Sequence, residues 1–474
     1  MTERTAVVVL AGGKGARMRS ALPKVLHDAA GRTLLDRVLA TARALVAGGD
    51  AARLVVVTNA GAGDAVTAHV RSAAPEATLA HQRSPRGTGD ALRAAMAKVG
   101  SASRLVVLPG DAPLVTPASV RRLLSELDGR PETPAVFLSA VPPDPSGYGR
   151  VLRDAHGIVV AVVEEREASE REKEIPEVNG GVYAFDRGFL DAALPRLEPA
   201  NEASEFYLTD LLAMAVESGR PARGVPAASP EEILGVNSHA DLARVEGVLR
   251  ERAAAAAMAG GAALLRPETV TLDETVTLAP DTVVEPFVTL LGATRVGGGT
   301  RIGQGCVIRD TELGARVTVR PYCVMEGARV GDGAVVGPFA RLREGTDLGP
   351  AVHVGNFVET KKAALGREAK ANHLTYLGDV EVGERTNVGA GVITCNYDGF
   401  AKHRTTIGKD VFVGSDVQLV APVTVGDGAV IGAGTTVTEN VPGGALATSR
   451  TPQRTTEGAG TAYRERKGAK KKKI

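Results

Sequence analysis

Three short stretches in the second half of the chain collect side chains capable of acid–base chemistry. They are R-L-R-E-G at 341–345, G-N-F-V-E-T-K-K at 355–362 and N-H-L-T-Y-L-G-D at 372–379. A single histidine on a repetitive surface is usually a solvated side chain, but His373 comes with Arg343, Lys361 and Tyr376. Two cations and a phenol can hold a phosphorylated sugar, and an unprotonated imidazole can take the proton of an amine. Glu359 is a residue that could hold the imidazole ring. The plainer reading makes Arg343 and Lys361 part of a solvated face.

A second set lies near the start. L-A-G-G-K-G-A-R-M at 10–18 is followed by L-P-K at 22–24. Glycines 12, 13 and 15 let backbone N–H groups close around phosphates, and Lys14, Arg17 and Lys24 supply the charge a triphosphate needs. The pattern is neither G-x-x-x-x-G-K-[ST] nor a good dinucleotide fingerprint. Gln82 and G-T-G at 87–89 precede a helical pattern whose N-terminus can face a base or a phosphate. L-P-G-D-A-P-L at 108–114 puts Asp111 just past a strand end, where a carboxylate can hold Mg²⁺ against substrate phosphates. Taken singly these are weak signals: a strand-to-helix turn, and a turn aspartate before Pro113.

The elements that must carry these residues follow from hydrophobic period. Apolar runs at 6–10, 54–58 and 105–108 read as strands, and 34–46 and 91–99 as helices. Their alternation over 1–237 predicts a Rossmann-like α/β domain with a mainly parallel sheet, which binds ligands beyond the carboxyl ends of its strands. Ser238 can cap a helix running to about Met258, with Leu242, Val245 and Leu249 on one stripe and Gly260-Gly261 ending it. Its place between two patterns predicts a spacer over 238–260.

From about residue 261 to 450 the period changes. An aliphatic residue followed by Gly recurs at Val296, Ile302, Leu313, Val330, Val336, Leu348, Val354, Leu365 and onward to Ile431, mostly at multiples of six or one short of it. This is the mark of a hexapeptide parallel β-helix, in which the aliphatic side chain points inward and coils stack about 4.8 Å apart. Three hexads per coil predict about ten coils. One insertion, 394–406 with C-N-Y-D-G, breaks the register, and a loop thrown out of a solenoid commonly lies on its binding face.

Bulk numbers bound the rest. The chain has 474 residues, which implies two or three domains. Its net charge of +1 argues against nucleic acid as a partner. After Thr451, eight cations face two carboxylates, so a tail of +6 leaves −5 on the remainder. The tail, 451–474, is expected to be a solvated, disordered end. Cys306, Cys323 and Cys395 form no C-x-x-C pair. With no evident secretory signal they read as free thiols in a reducing, cytoplasmic compartment. No apolar run is long enough for a membrane span.

Together the motifs resemble the sugar-nucleotide pyrophosphorylases. Over nearly the full chain, to about residue 450, they are similar to the bacterial bifunctional N-acetylglucosamine-1-phosphate uridyltransferase/glucosamine-1-phosphate acetyltransferases. The resemblance implies an α/β nucleotidyltransferase followed by a left-handed parallel β-helix, assembled as a homotrimer whose acetyltransferase sites are completed by neighbouring chains. It implies Mg²⁺ as cofactor and UTP and acetyl-CoA as co-substrates. Leu10, Ala11, Gly12, Gly13, Gln82, Gly87 and Thr88 match positions that hold the uridine nucleotide. Lys24 matches the lysine on the phosphates, and Gly149, Glu164 and Asn179 match sugar positions. Asp111 and Asn237 match the Mg²⁺ pair. In the second half His373 matches the general base, and Arg343, Lys361, Tyr376 and Asn387 match glucosamine-1-phosphate positions. Ala390, Asn396, Tyr397, Ser415, Ala433 and Arg450 match acetyl-CoA positions. The chain departs from the family's commoner residues at Gly12, Pro109 and Asn372. Two other readings stay open at this point: a different nucleotidyltransferase whose β-helix only assembles the protein, and a scaffold with degenerate sites.

Overall fold

The computed structural model describes residues 5–471 apart from 14, 60–62, 85, 200–203 and 450–451. They form two compact units, Met1–Ala253 and Ala254–Ile474.

The first unit is built on a nine-stranded sheet. Its main path runs Arg223–Pro226, Ala135–Ala140, Val178–Asp186, Arg104–Pro109, Thr5–Leu10, Arg53–Asn59, Thr78–Gln82. Thr5–Leu10 pairs parallel with both neighbours, Leu10 opposite Val57 and Pro109. Val178–Asp186 is antiparallel to both of its neighbours. Period-two alternation sorts the side chains: Val7 and Val9 join one apolar layer, while Ala6 and Val8 join the other. Both faces are covered, so the strand is apolar throughout. Helices Leu34–Ala47 and Pro117–Asp128 pack on the first face, and Thr88–Met96, Arg187–Ala193 and Asp210–Glu217 on the second. The helix expected over 91–99 starts earlier because Gly87 serves as its N-cap.

Helix His239–Ala259 carries the expected cap: Asp241 N donates to Ser238 Oγ at 3.2 Å, and Ser238 N donates to the Asp241 carboxylate at 2.9 Å. It is not a free spacer. Val245 and Leu249 are buried with Met18, Leu34, Leu114 and Val236, so its first half packs into the first unit, which extends to Ala253. Burying two apolar side chains outweighs leaving a solvated rod.

The second unit is the solenoid expected from the hexads, with eleven strands on one flat face, from Ala263–Leu264 to Leu446–Ala447. Two more faces are made by strands that pair coil to coil, such as Thr289–Leu291 on Val307–Arg309 and Arg295–Val296 on Glu312–Leu313. Every pairing in these faces is parallel. Arg301, Thr318 and Val335 are successive partners seventeen residues apart, which is three hexads less one. From Asn387 to its partner Phe412 the step lengthens to twenty-five, because the insertion is threaded there.

The structure refines why Gly follows the aliphatic residue. A Cβ on Gly297 would lie 2.6 Å from the Gly314 carbonyl, and one on Gly389 2.6 Å from Gly414, so these glycines make room for the next coil. The left-handed corner comes two residues later, at Gly299, Arg316, Gly333, Arg385 or Asp410, and so needs no fixed residue type.

The tail differs from expectation. Residues Ala459–Lys471 form a helix rather than a disordered end, exposed through Gly468. Ala, Arg and Lys favour helix intrinsically, and cations near its C-terminus suit the dipole. Among the described residues no helix is long and apolar enough to cross a membrane.

Candidate functional sites

In the first unit the chain leaves strand Thr5–Leu10 through Ala11, whose N–H still reaches Val57 O at 2.8 Å. The Gly12 carbonyl accepts from the Asn59 side-chain amide, and nothing lies within 4 Å of where a Gly13 Cβ would be. Lys24 is buried at 8% exposure on the short helical turn Lys24–Leu26. Its ammonium pairs with Asp111 and donates to Asn237 Oδ1 at 3.0 Å. Asp111 follows strand Arg104–Pro109, and its carbonyl accepts from Val236 N at 2.9 Å, next to Asn237. Three residues remote in sequence therefore converge on one point. Lys14 lies outside the described residues, and Arg17 is exposed.

A carboxylate and an amide oxygen facing one position suit a hard divalent cation. Among the described residues no group of three or more His, Cys, Asp or Glu could hold a metal.

Gln82, at the end of strand Thr78–Gln82, is buried. Its Nε2 donates to Asp90 at 2.7 Å and to Gly87 O at 3.3 Å. Its Oε1 would stand 3.3 Å from a Cβ at position 12, so Gly12 leaves this amide room. Gly87 has φ +98°, and a Cβ there would lie 2.6 Å from Phe206 O. Phe206 N donates to Arg86 O, Gly89 N donates to Phe206 O, and Leu208 N donates to Thr88 Oγ1 at 3.1 Å. Thr209 in the same segment donates from its hydroxyl to Glu164 at 3.2 Å. One strap thus touches both the G-T-G turn and Glu164. Burial pushes the Glu164 carboxyl above its ordinary range.

Gly149 O accepts from Asn179 N at 2.8 Å, and its absent Cβ would stand 3.6 Å from Glu164 Oε1. The Asn179 amide is fixed at both ends, by Gly181 N at 3.1 Å and by Tyr183 OH at 2.7 Å. Pro109 packs under Gly181. Sequence reasoning missed Asn59, Phe206 and Glu232, which carry no motif.

In the second unit His373 ends strand Lys370–His373, opposite Asn356, with its side chain exposed. Its carbonyl accepts from Thr375 Oγ1 at 2.7 Å and from Gly391 N at 3.4 Å. Arg341, Glu359, Tyr376 and Ile393 are successive partners down the adjoining face. The Glu359 carboxylate accepts from Arg343 at 2.9 Å instead of holding the His373 ring, because the neighbouring coil presents a guanidinium in range. Lys402, with Arg343, holds the Lys361 ammonium below the ordinary lysine range. Lys402 was missed in sequence, although its place in the 394–406 insertion is a usable signal.

A Cβ on Gly378 would lie 2.5 Å from Tyr376 OH and 2.7 Å from Asn396 Nδ2, so that glycine lets the phenol and the amide approach. Asn396 Nδ2 also donates to Asp379 at 2.5 Å. Tyr397 is exposed, in a loop closed by Asp398, whose carboxylate accepts from Phe400 N and Ala401 N at 2.8 Å and pairs with His403 at 2.7 Å. Those bonds hold Asp398 well below the carboxylate range. Asn387 lies on the face of His373, between Lys370 and Phe412. Ala390, Ser415 and Ala433 each follow a stacked Gly at one edge, Asp416 N donating to Ala390 O at 2.7 Å and Gly434 N to Ser415 O at 2.9 Å. They form a column of small residues leading away from the His373 corner. Arg450 lies outside the described residues.

The fold and its two clusters define a two-domain transferase. The MobA-like NTP transferase domain family matches residues 7–172, and the bacterial transferase hexapeptide (six repeats) family matches residues 404–439. The chain is 45% identical over 462 residues to the bifunctional protein GlmU of Alkalilimnicola ehrlichii, covering 97% of this chain and 96% of that protein. It is 42% identical to that of Aromatoleum aromaticum over 94% of this chain and 96% of that protein. Against that of Burkholderia vietnamiensis the identity is 43%, with 94% and 96% covered. The chain belongs to the GlmU family. It is a bifunctional enzyme of UDP-N-acetylglucosamine synthesis, a uridyltransferase and an acetyltransferase in one polypeptide.

Proposed function

We propose that the second unit acetylates glucosamine-1-phosphate with acetyl-CoA through His373, and that the first unit then transfers UMP from UTP to the product around Lys24, Asp111 and Asn237. In the acetyl transfer the sugar amine attacks the thioester carbonyl, the C–S bond breaks, and His373 takes the amine proton. Arg343, Lys361 and Lys402 hold the sugar phosphate, and Tyr376 and Asn387 orient the ring. Ala390, Ser415 and Ala433 leave an edge without bulk along which the pantetheine can lie, with Asn396, Tyr397 and Arg450 completing the acetyl-CoA site.

In the first unit the sugar phosphate oxygen attacks the α-phosphorus of UTP in line, and pyrophosphate leaves. Lys24 neutralises the phosphates, Gln82 with Gly87 and Thr88 reads uracil, and Leu10 to Gly13 meet the nucleotide through backbone. Gly149, Glu164 and Asn179 hold the sugar. Asp111 and Asn237 would hold Mg²⁺, which supplies positive charge against the phosphates. The observation that carries this reading is the convergence of Lys24, Asp111 and Asn237 on one point. The flat faces of the solenoid support a homotrimer. The free cysteines support a reducing, cytoplasmic setting.

A coupled assay with acetyl-CoA, glucosamine-1-phosphate, UTP and Mg²⁺ tests it. Asp111→Ala should remove nearly all UDP-N-acetylglucosamine formation and leave acetyl transfer intact. Equal loss of both activities in a folded variant would count against two separate sites.

A further inference from the structure

Asp111 and Asn237 lie on segments more than a hundred residues apart, and something must fix the distance between them. The Val236 N–H to Asp111 O bond is one tie, at 2.9 Å. The other is Glu232, which is only 1% exposed. Its Oε1 accepts from Thr116 N at 2.9 Å and from Thr116 Oγ1 at 2.7 Å. Its Oε2 accepts from Ser119 Oγ at 2.8 Å and from Ala228 N at 3.0 Å. A buried carboxylate with four donors is fully satisfied, and it faces the N-terminus of helix Pro117–Asp128, where the dipole favours negative charge.

The placement is symmetrical about the site. Thr116 comes five residues after Asp111, and Asn237 comes five residues after Glu232. Asn237 is gripped from the other side by the Asp241 carboxylate, which accepts from its N–H at 3.1 Å. Glu232 therefore closes a ring: Asp111, Thr116, the carboxylate, then Val236 and back to Asp111. The Mg²⁺ pair sits on that ring, and Glu232 touches neither member.

We infer that Glu232 is a positioning residue for uridyltransfer, holding the Asp111 and Asn237 segments in register so that their oxygens meet one divalent cation. This rests on Asp111 and Asn237 being the metal pair. An amide at position 232 would turn an NH₂ toward two donors on one side, so Glu232→Gln keeps the shape and breaks the clamp.

The test uses the full chain. Mn²⁺ binding in the presence of UTP is followed by electron paramagnetic resonance, alongside the Mg²⁺ dependence of uridyltransfer, with acetyl transfer as the internal control. Glu232→Gln should weaken Mn²⁺ binding and raise the Mg²⁺ needed for half-maximal rate by about 10- to 100-fold, the usual span for groups that orient metal ligands. Acetyl transfer should not change. A lower kcat at unchanged Mg²⁺ dependence and Mn²⁺ affinity would make Glu232 merely structural and overturn the inference. If the first unit of Glu232→Gln melts before assay, Ser119→Ala, which removes one donor of the four, decides: a smaller shift in the same direction supports the clamp, and none overturns it. Asp111→Ala separates the two ideas. Unchanged Mn²⁺ binding in that variant overturns the metal pair itself, whereas its loss there with normal binding in Glu232→Gln overturns only the clamp.

Discussion

Replacing His373 by alanine should separate the two activities most sharply. The ring is exposed on a strand end, and the bonds that anchor the residue, from Thr375 Oγ1 and Gly391 N, go to its backbone carbonyl. Removing the ring therefore opens no core cavity, and stability should move by no more than about 0.5 kcal/mol. Loss of a general base costs about 10²- to 10⁴-fold, which at about 1.36 kcal/mol per decade is roughly 2.7–5.4 kcal/mol of barrier. The assay follows release of the CoA thiol from acetyl-CoA with glucosamine-1-phosphate, while preformed N-acetylglucosamine-1-phosphate and UTP report the other unit. Acetylation should fall by the amount given and uridyltransfer should persist. The defect should shrink as pH rises, because more of the sugar amine is then already neutral. Wild-type acetylation at neutral pH would refute the role of His373, and joint loss of both activities with an unchanged melting profile would refute the independence of the sites.

Other perturbations test the frame around the sites. Gly87→Ala forces a side chain onto a φ of +98° with a Cβ 2.6 Å from Phe206 O. Backbone strain of this kind costs about 1–3 kcal/mol before the clash is counted, so calorimetry should show the first unit melting earlier and the β-helix transition unmoved. Glu164 has its carboxyl raised by burial, so its stabilising contribution is present at acid pH and is lost as pH climbs from the ordinary carboxylate range through the raised value. Glu164→Gln should therefore gain stability relative to the parent from mildly acidic to neutral pH while uridyltransfer falls; a pH-independent difference in denaturant midpoints would contradict this. A fragment ending at Ala259 should keep some uridyltransfer, lack acetyl transfer and be monomeric by light scattering. One ending at Asn237 should be unstable, since it forfeits the buried Val245 and Leu249, worth about 1.5–3 kcal/mol each.

Much of this molecule is legible along the chain because its order is local or strictly periodic. In the β-helix the partner of a residue lies one coil on, so the spacing of Val296, Ile302 and Leu313 already states which side chains point inward and where coils stack. The strands around Thr5–Leu10 declare themselves by unbroken apolar runs, since both faces of that sheet are covered. The glycine turn, Asp111 and His373 stood out because chemistry demands those residue types. What the sequence left open is what depends on crossings of the chain. Nothing in position 232 announces a carboxylate that joins two segments, and nothing in 206–209 announces a strap between the G-T-G turn and Glu164. Along the chain Glu359 reads as a partner for the ring of His373, and only the stacking of coils gives it to Arg343 instead. The helix of 239–259 shows a stripe but not what covers it, and the basic tail shows its charge but not its helix. Sequence determines which groups are available and their local direction. The tertiary structure decides which of them meet, because a hydrogen bond or ion pair is set by a few ångströms of distance that no one-dimensional spacing between remote segments can encode.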